Sequence, residues 1–388
     1  MDPGARADLR PDGRVDARRH RSRLALRAAR AASAARGTAL LLAACAAPAP
    51  AAPTAPAAGS AAYTWHLPRG LPVPYVPADN PMSDAKVALG ERLFFDPQLS
   101  ITGRYACVSC HDPARSFSDG RSVAVGATGQ SLRHNALALV NIAYNIAYGW
   151  DQPQLRSLEA QMLIPLLNEH PIELGLKGRE AALSAALAAD PGYARAFAGS
   201  FPDCAPAVSF DHVVKAIAAF ERTLLCASSP FDAYVFGGDH AALSPQAKAG
   251  MALFYSRQVG CSGCHSGFNF SGNWRDREGA TGRASFARDG TSAAPLRVPT
   301  LRNVALTAPY MHDGRFATLS AVLEHYSGLA RRSGGPARID PRLPRAPLSA
   351  TERAALEAFL GSLTDRSCLA RFAAHAAAPP FASPGPTR

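Results

Sequence analysis

Two pentapeptides constrain this chain more than anything else in it: Cys107-Val108-Ser109-Cys110-His111 and Cys261-Ser262-Gly263-Cys264-His265. Each reads C-x-x-C-H, the attachment signal for c-type haem. Two thiols add across the haem vinyl groups, and the adjoining imidazole becomes the proximal iron ligand. With 8 Cys and 11 His in 388 residues, chance supplies only about 0.005 such pentapeptides, so coincidence is set aside. A zinc ribbon would bring its C-x-x-C pairs closer together and needs no His after each. A disulfide or a thioredoxin-like pair needs no such His either. The residues therefore predict two covalent haems, held by Cys107, Cys110 and His111 and by Cys261, Cys264 and His265. The second axial position of each iron stays open, and it separates an electron carrier from an enzyme.

A chain of 388 residues is long enough for two domains. Its net charge of +11 is weak evidence for a polyanionic partner. Residues 1–36 hold ten Arg against four Asp, which is +6 of the total and leaves about +5 for the rest. A basic N-terminus followed by Thr38-Ala39-Leu40-Leu41-Leu42-Ala43-Ala44-Cys45 reads as an export segment, residues 1–45, and not as a nucleic-acid surface. The apolar run is too short to span a bilayer. Leu42-Ala43-Ala44-Cys45 resembles a bacterial lipobox, which predicts a lipid anchor at Cys45 and a periplasmic location; a plain cleaved signal is the alternative. Residues 46–62 are Ala/Pro-rich and read as a tether. Among Cys204, Cys226 and Cys368, an oxidising compartment allows one disulfide. Cys204 with Cys226 is the expected pair, three buried thiols the alternative.

The remainder is periodic at helical spacing, with no long β-rich stretch. Ser83 opens a helix through Val87, Leu89, Leu93 and Phe94, and Ser244-Pro245 opens another. Gly90-Glu91-Arg92-Leu93-Phe94 and Gly250-Met251-Ala252-Leu253-Phe254 share the pattern G-x-x-L-F, each shortly before a C-x-x-C-H. This is an internal repeat of a cytochrome c-like unit, the glycine permitting close helix approach. Residues 213–224 form an amphipathic helix, and Ser349-Ala350-Thr351-Glu352 is a capping-box start for a closing helix. The predicted fold is mainly α: two cytochrome c-like haem domains in tandem with long loops, residues 63–238 and 239–372, and a disordered tail, 373–388.

Beyond the haem motifs, Asn141-Ile142-Ala143-Tyr144-Asn145 with Trp150, Leu158-Glu159-Ala160-Gln161, Pro299-Thr300-Leu301-Arg302-Asn303-Val304 and Pro309-Tyr310-Met311-His312-Asp313-Gly314 resemble the bacterial dihaem cytochrome c peroxidase and MauG superfamily. Tyr63-Thr64-Trp65-His66-Leu67-Pro68, Asp79-Asn80-Pro81-Met82-Ser83 and Phe220-Glu221-Arg222-Thr223-Leu224 are most similar to its MbnH-type members, associated with copper handling. Between Cys264-His265 and Pro299 the chain looks shorter than in those relatives, and Asn273 to Ala294, polar and Gly-rich, reads as a loop.

The resemblance implies particular roles. At the second haem the axial position counted on from His312 falls on Tyr326, where MauG-type enzymes use a phenolate. Met311 is the rival ligand, and His325 and His312 are further alternatives. At the first haem the place of a removable distal His, in Gly126-Ala127-Thr128-Gly129, holds no His, which implies an open iron; His134 could substitute. Gln161, Pro165 and Glu173 carry over as the pocket, with Glu173 as general acid–base and Glu169 as its alternative. Trp150 carries over as a relay between the haems. Asn135, Thr307 and Pro309 match an inter-haem Ca2+ site. The implied activity is oxidation of an aromatic residue, expected to be Trp, on a partner protein by hydrogen peroxide. The alternatives are a peroxidase fed by a small cytochrome or cupredoxin, and a dihaem electron carrier without catalysis.

Overall fold

The structure is a computed structural model that describes residues 63–282, 286–329, 340–343 and 347–377. The export segment 1–45, with the anchor expected at Cys45, lies outside the described residues, as do the tether 46–62 and residues 378–388.

The described chain is mostly helical. Helix α1, Asp84–Phe94, starts where the Ser83 hydroxyl accepts from Lys86 N, and Asp84 complements its N-terminal dipole. Then come α2 (Leu158–Leu167), α3 (Glu180–Ala189), α4 (Pro191–Ser200) and α5 (Phe210–Glu221). Leu89, Leu93 and Phe94 of α1 bury against Val213, Ile217 and Phe220 of α5 in one apolar core. Helices α6 (Pro230–Val235), α7 (Pro245–Tyr255), α8 (Leu319–Leu329) and α9 (Ala350–Gly361) follow. They build a second core around Phe254, Leu323, Leu356 and Phe359. Among the described residues the sheet is a two-residue ladder, β1 (Phe286–Ala287) antiparallel to β2 (Leu296–Arg297).

The internal repeat is visible atom by atom. A Cβ on Gly90 would overlap the carbonyl oxygen of Ala216 in α5, and one on Gly250 would overlap that of Ala355 in α9. Phe94 then meets Phe220 with ring centroids 5.3 Å apart, and Phe254 meets Phe359 at 5.2 Å. G-x-x-L-F thus encodes a backbone-to-backbone helix crossing plus the aromatic pair beneath it. Gly90→Ala and Gly250→Ala should each destabilise the protein by about 1–3 kcal/mol, the usual cost of overpacking. Urea unfolding checks this, and a change below about 0.5 kcal/mol would show that the crossing can spread at no cost.

Two expectations are corrected at the C-terminus. Helix α10, Arg366–Ala377, continues past residue 373, where ordered structure was expected to stop. It also leaves the second core and places Cys368, Leu369 and Phe372 in the first. Asp365 turns the chain: its carboxylate accepts from Ser228 N and Cys368 N at 2.7 and 3.0 Å, and its own N–H donates to Asn303 Oδ1 at 2.6 Å. A disulfide joins Cys226 to Cys368, Cα–Cα 5.6 Å, so Cys226 does not pair with Cys204. A pairing across 142 residues depends on tertiary packing, to which local spacing gives no access.

Candidate functional site

Each C-x-x-C-H folds as a tight turn. Cys107–Ser109 and Cys261–Gly263 are single 3₁₀ turns, and the N–H groups of Cys110 and His111, like those of Cys264 and His265, donate back to the carbonyl of the first cysteine at 2.9–3.2 Å. The turn gathers two thiols and an imidazole on one side. All four thiols are free, although a disulfide forms elsewhere in the same chain. Burial pushes all four thiol pKa values up, Cys110 to about 11 and Cys261 to about 12. Burial thus disfavours the thiolate form of all four.

The imidazoles are oriented by backbone. His111 Nδ1 lies 2.8 Å from the carbonyl oxygen of Phe117, and His265 Nδ1 lies 3.1 Å from that of Phe270. A carbonyl only accepts, so each Nδ1 carries the proton and each Nε2 keeps its lone pair for a metal. Phe117 and Phe270 hold these carbonyls in place with φ of 61° and 47°, a left-handed conformation costly for a bulky residue. Burial lowers the pKa of both imidazoles, which keeps them neutral ligands. Two thiols, an oriented imidazole and an adjoining cavity, twice over, fit covalent haem.

The first cavity measures about 1770 Å3 with its open mouth, and Cys107, Cys110 and His111 form one wall. Gln161, Pro165, Glu173 and Trp150 line the same space. Gln161 and Pro165 lie in α2, capped by Ser157. Pro165 has no N–H to give the Gln161 carbonyl, and its own carbonyl accepts from Leu174 N at 2.9 Å. Glu173 is thereby tied to α2. On its other side Ala127 N donates to the Glu173 carbonyl at 2.6 Å, and Ile172 N donates to Gln130 Oε1 at 3.0 Å. Gly126 makes that contact possible, since a Cβ there would overlap the Ile172 carbonyl. Burial alone raises the Glu173 pKa to about 7. Glu169 is exposed and does not line the cavity. His134 does line it, with Nε2 3.7 Å from Asp151.

The second cavity, about 1270 Å3, is bounded by Cys261, Cys264 and His265. Tyr326, from α8, and Met311 both reach it. Burial, then the charge of Asp289, pushes the Tyr326 phenol well above its ordinary pKa, so it is neutral until a metal displaces the proton. His325 and His312 do not line this cavity. His325 Nε2 bonds the Asp289 carbonyl at 3.0 Å, and His312 Nδ1 sits 3.4 Å from Thr291 Oγ1.

Trp150 is a wall of both cavities, its Nε1 donating to the Asn135 carbonyl at 2.8 Å. Asn135, Thr307 and Pro309 surround a third, smaller cavity beside it. There the Asn135 amide nitrogen donates to the carbonyls of Arg121 and Pro309 at 2.6 and 3.3 Å. A cation at this point requires the amide turned so that its oxygen faces inward.

Some residues of the site escaped the sequence. Phe117 and Phe270 act through carbonyls, which every residue has. Gly126 and Gln130 act through a close approach to residues some forty positions away. Glu221 left a signal, an acid on the apolar face of α5. It is 4% exposed, lines the first cavity, and its Oε2 has no partner. Burial raises its pKa to about 8, with Arg222 opposing and Glu159 adding. Arg297, a charge inside Leu296-Arg297-Val298, left a similar signal.

A family model for dihaem cytochrome c peroxidase matches residues 84–240. Methylamine utilization protein MauG of Methylorubrum extorquens is 36% identical over 296 residues, 74% of this chain and 80% of that protein. Cytochrome c551 peroxidase of Pseudomonas aeruginosa is 33% identical over 248 residues, covering 61% of this chain and 69% of its own. Among solved structures, a MauG-like protein associated with microbial copper homeostasis aligns with a TM-score of 0.75 at 34% identity, over 83% of this chain and 99% of its own. With paired C-x-x-C-H turns, each facing its own cavity across a shared tryptophan, this chain belongs to the dihaem cytochrome c peroxidase and MauG family of oxidoreductases.

Proposed function

We propose that this protein uses hydrogen peroxide to oxidise an aromatic side chain, foremost Trp, of a partner protein, with peroxide bound in the first cavity. The observation that carries this reading is the asymmetry of the two cavities. Only the first holds the buried carboxyl tuned to about 7, Glu173. The haem supplies a redox iron with a position for peroxide. Glu173 takes the proton of the near peroxide oxygen and returns it to the leaving oxygen. Gln161 orients the peroxide, and Pro165 narrows the water-accessible space. H2O2 takes up two electrons and two protons to give two waters; the electrons would come from the partner protein, with Trp150, which borders both cavities, as the relay. Tyr326 and His265, which line the same cavity, would together hold the iron of the second haem, in a tandem of two haem units.

Ferric EPR tests the enzyme reading: one high-spin and one low-spin haem are expected, and two low-spin haems would indicate a carrier. Tyr326→Phe should alter the low-spin signal while Met311→Leu leaves it intact; the reverse outcome makes Met311 the ligand. Met311 also lines the second cavity, and this favours a second reading, peroxide reduction with electrons from a small cytochrome or cupredoxin. Turnover with such a donor, without change in mass of any partner protein, would select it.

We further propose Ca2+ at Asn135, Thr307 and Pro309, bound through neutral oxygens and water; purified protein without calcium overturns this. Export to the periplasm and lipidation at Cys45 are proposed from the sequence alone. Cell fractionation and the mass of the mature N-terminus decide both.

A further inference from the structure

Among the described residues, three arginines are almost completely buried: Arg222 and Arg302 at 2% exposure and Arg297 at 4%. Two are matched by carboxylates. Arg222 Nη2 meets both oxygens of Glu159 at 2.7 and 2.9 Å, and Arg302 makes a bidentate pair with Asp232 at 2.9 and 3.0 Å. Arg297 is different. Among the described residues no carboxylate pairs with it, its Nε has no hydrogen-bond partner, and the side chains beside it, the Asn145 amide and the Tyr148 phenol, are neutral. An unpaired buried charge costs several kcal/mol or more. A fold that pairs its other buried arginines and leaves this one bare is built around an anion that the polypeptide does not supply.

The position of Arg297 says which anion. Arg297 lines the second cavity, beside Cys261, Cys264 and His265, and also the small third cavity next to it, but not the first. That cavity is walled mainly by Leu, Val and Phe side chains. Arg288 faces the same space with a second unpartnered Nε. It directly follows β1, two residues past the Phe286↔Arg297 pair. Two arginines against one carboxylate, Asp289, in a mainly apolar cavity match a flat apolar ligand that carries carboxylates on one edge.

We propose that Arg297 binds a propionate of the second haem, with Arg288 at the other propionate, and that this ion pair sets both the orientation of that haem and its redox balance. The inference rests on the dihaem reading. It also reaches Trp150, because Arg297 N donates to the Trp150 carbonyl at 2.7 Å. One residue therefore grips the haem edge with its side chain and the shared tryptophan with its backbone. Arg297 is a positioning residue in this scheme.

The test uses the haem-loaded protein. Covalent haem is counted by mass in wild type, Arg297→Gln and Arg297→Lys, and each haem is then titrated electrochemically. A cation beside a haem favours the reduced iron. Arg297→Gln should shift the oxidised-to-reduced ratio of the second haem at fixed potential at least tenfold toward oxidised, a midpoint about 59 mV lower. The first haem should move much less. Arg297→Lys should recover most of the shift, because it keeps the charge and loses only the fork. Arg288→Gln provides an independent second variant should Arg297→Gln not fold, and it should move the second midpoint in the same direction. Two haems present with an unmoved second midpoint overturn this inference alone, as does a larger shift at the first haem. Wild-type protein with fewer than two covalent haems overturns the dihaem reading itself.

Discussion

Glu173→Gln should slow peroxide consumption by about 10²–10⁴-fold, the usual contribution of a positioned general acid–base group, while leaving both haem attachments intact. The pH dependence makes the assignment specific. Burial raises the Glu173 pKa to about 7, so the carboxyl is protonated below that value and cannot accept the peroxide proton. The wild-type rate constant with peroxide should therefore fall as pH drops through about 7. The glutamine variant should be slow and flat across the same range. Stopped-flow mixing with peroxide from pH 5 to 9 measures both. A wild-type inflection that survives in the variant would move the titrating role elsewhere, and Glu221 is the first place to look, since it shares the cavity and is raised to about 8. Glu169→Gln, on an exposed residue, is expected to change nothing.

The second large effect is on stability. Cys368→Ser opens a disulfide that spans 142 residues. Closing a loop of that length contributes about 2–5 kcal/mol. The serine variant should lose that much in urea unfolding of the haem-loaded protein, and Cys226→Ser should lose the same. The double variant should be no worse than either single one, because both remove one crosslink. A double variant about twice as destabilised would assign the loss to the packing of each cysteine and not to their bond. Peroxide reactivity at low temperature should persist in all three, which separates this prediction from the one at Glu173.

The residues legible in the sequence are those whose side chains carry the chemistry. Cys, His, Glu, Gln and Trp have distinct identities, and the repeat of G-x-x-L-F before C-x-x-C-H is a pattern on one line of text. The structure gathers Gln161, Pro165, Glu173 and Trp150 around the cavity at His111, and brings Tyr326 and Met311 to the cavity at His265. The capping box at Ser349 and Glu352 was legible for the same reason, its two side chains being three residues apart. What stayed hidden acts without side-chain identity or over long separations. The carbonyls of Phe117 and Phe270 orient the two imidazoles, yet nothing in those phenylalanines marks the role. Glu173 is held by loop 126–130 through backbone bonds and one glutamine. The disulfide partner of Cys226 and the crossing of α10 to the first core depend on where Asp365 redirects the chain. Arg297 stood in plain sight, and an arginine within an apolar run was a signal of a missing anion.

Helix α10 bears on how this protein is made. Phe372 packs edge-on against Phe117, centroids 5.5 Å apart, and Phe117 supplies the carbonyl that orients His111. A ribosome delivers residue 117 long before residue 372. Until α10 is made, the first unit lacks this contact, so the first haem site is completed by packing from the far end of the described chain.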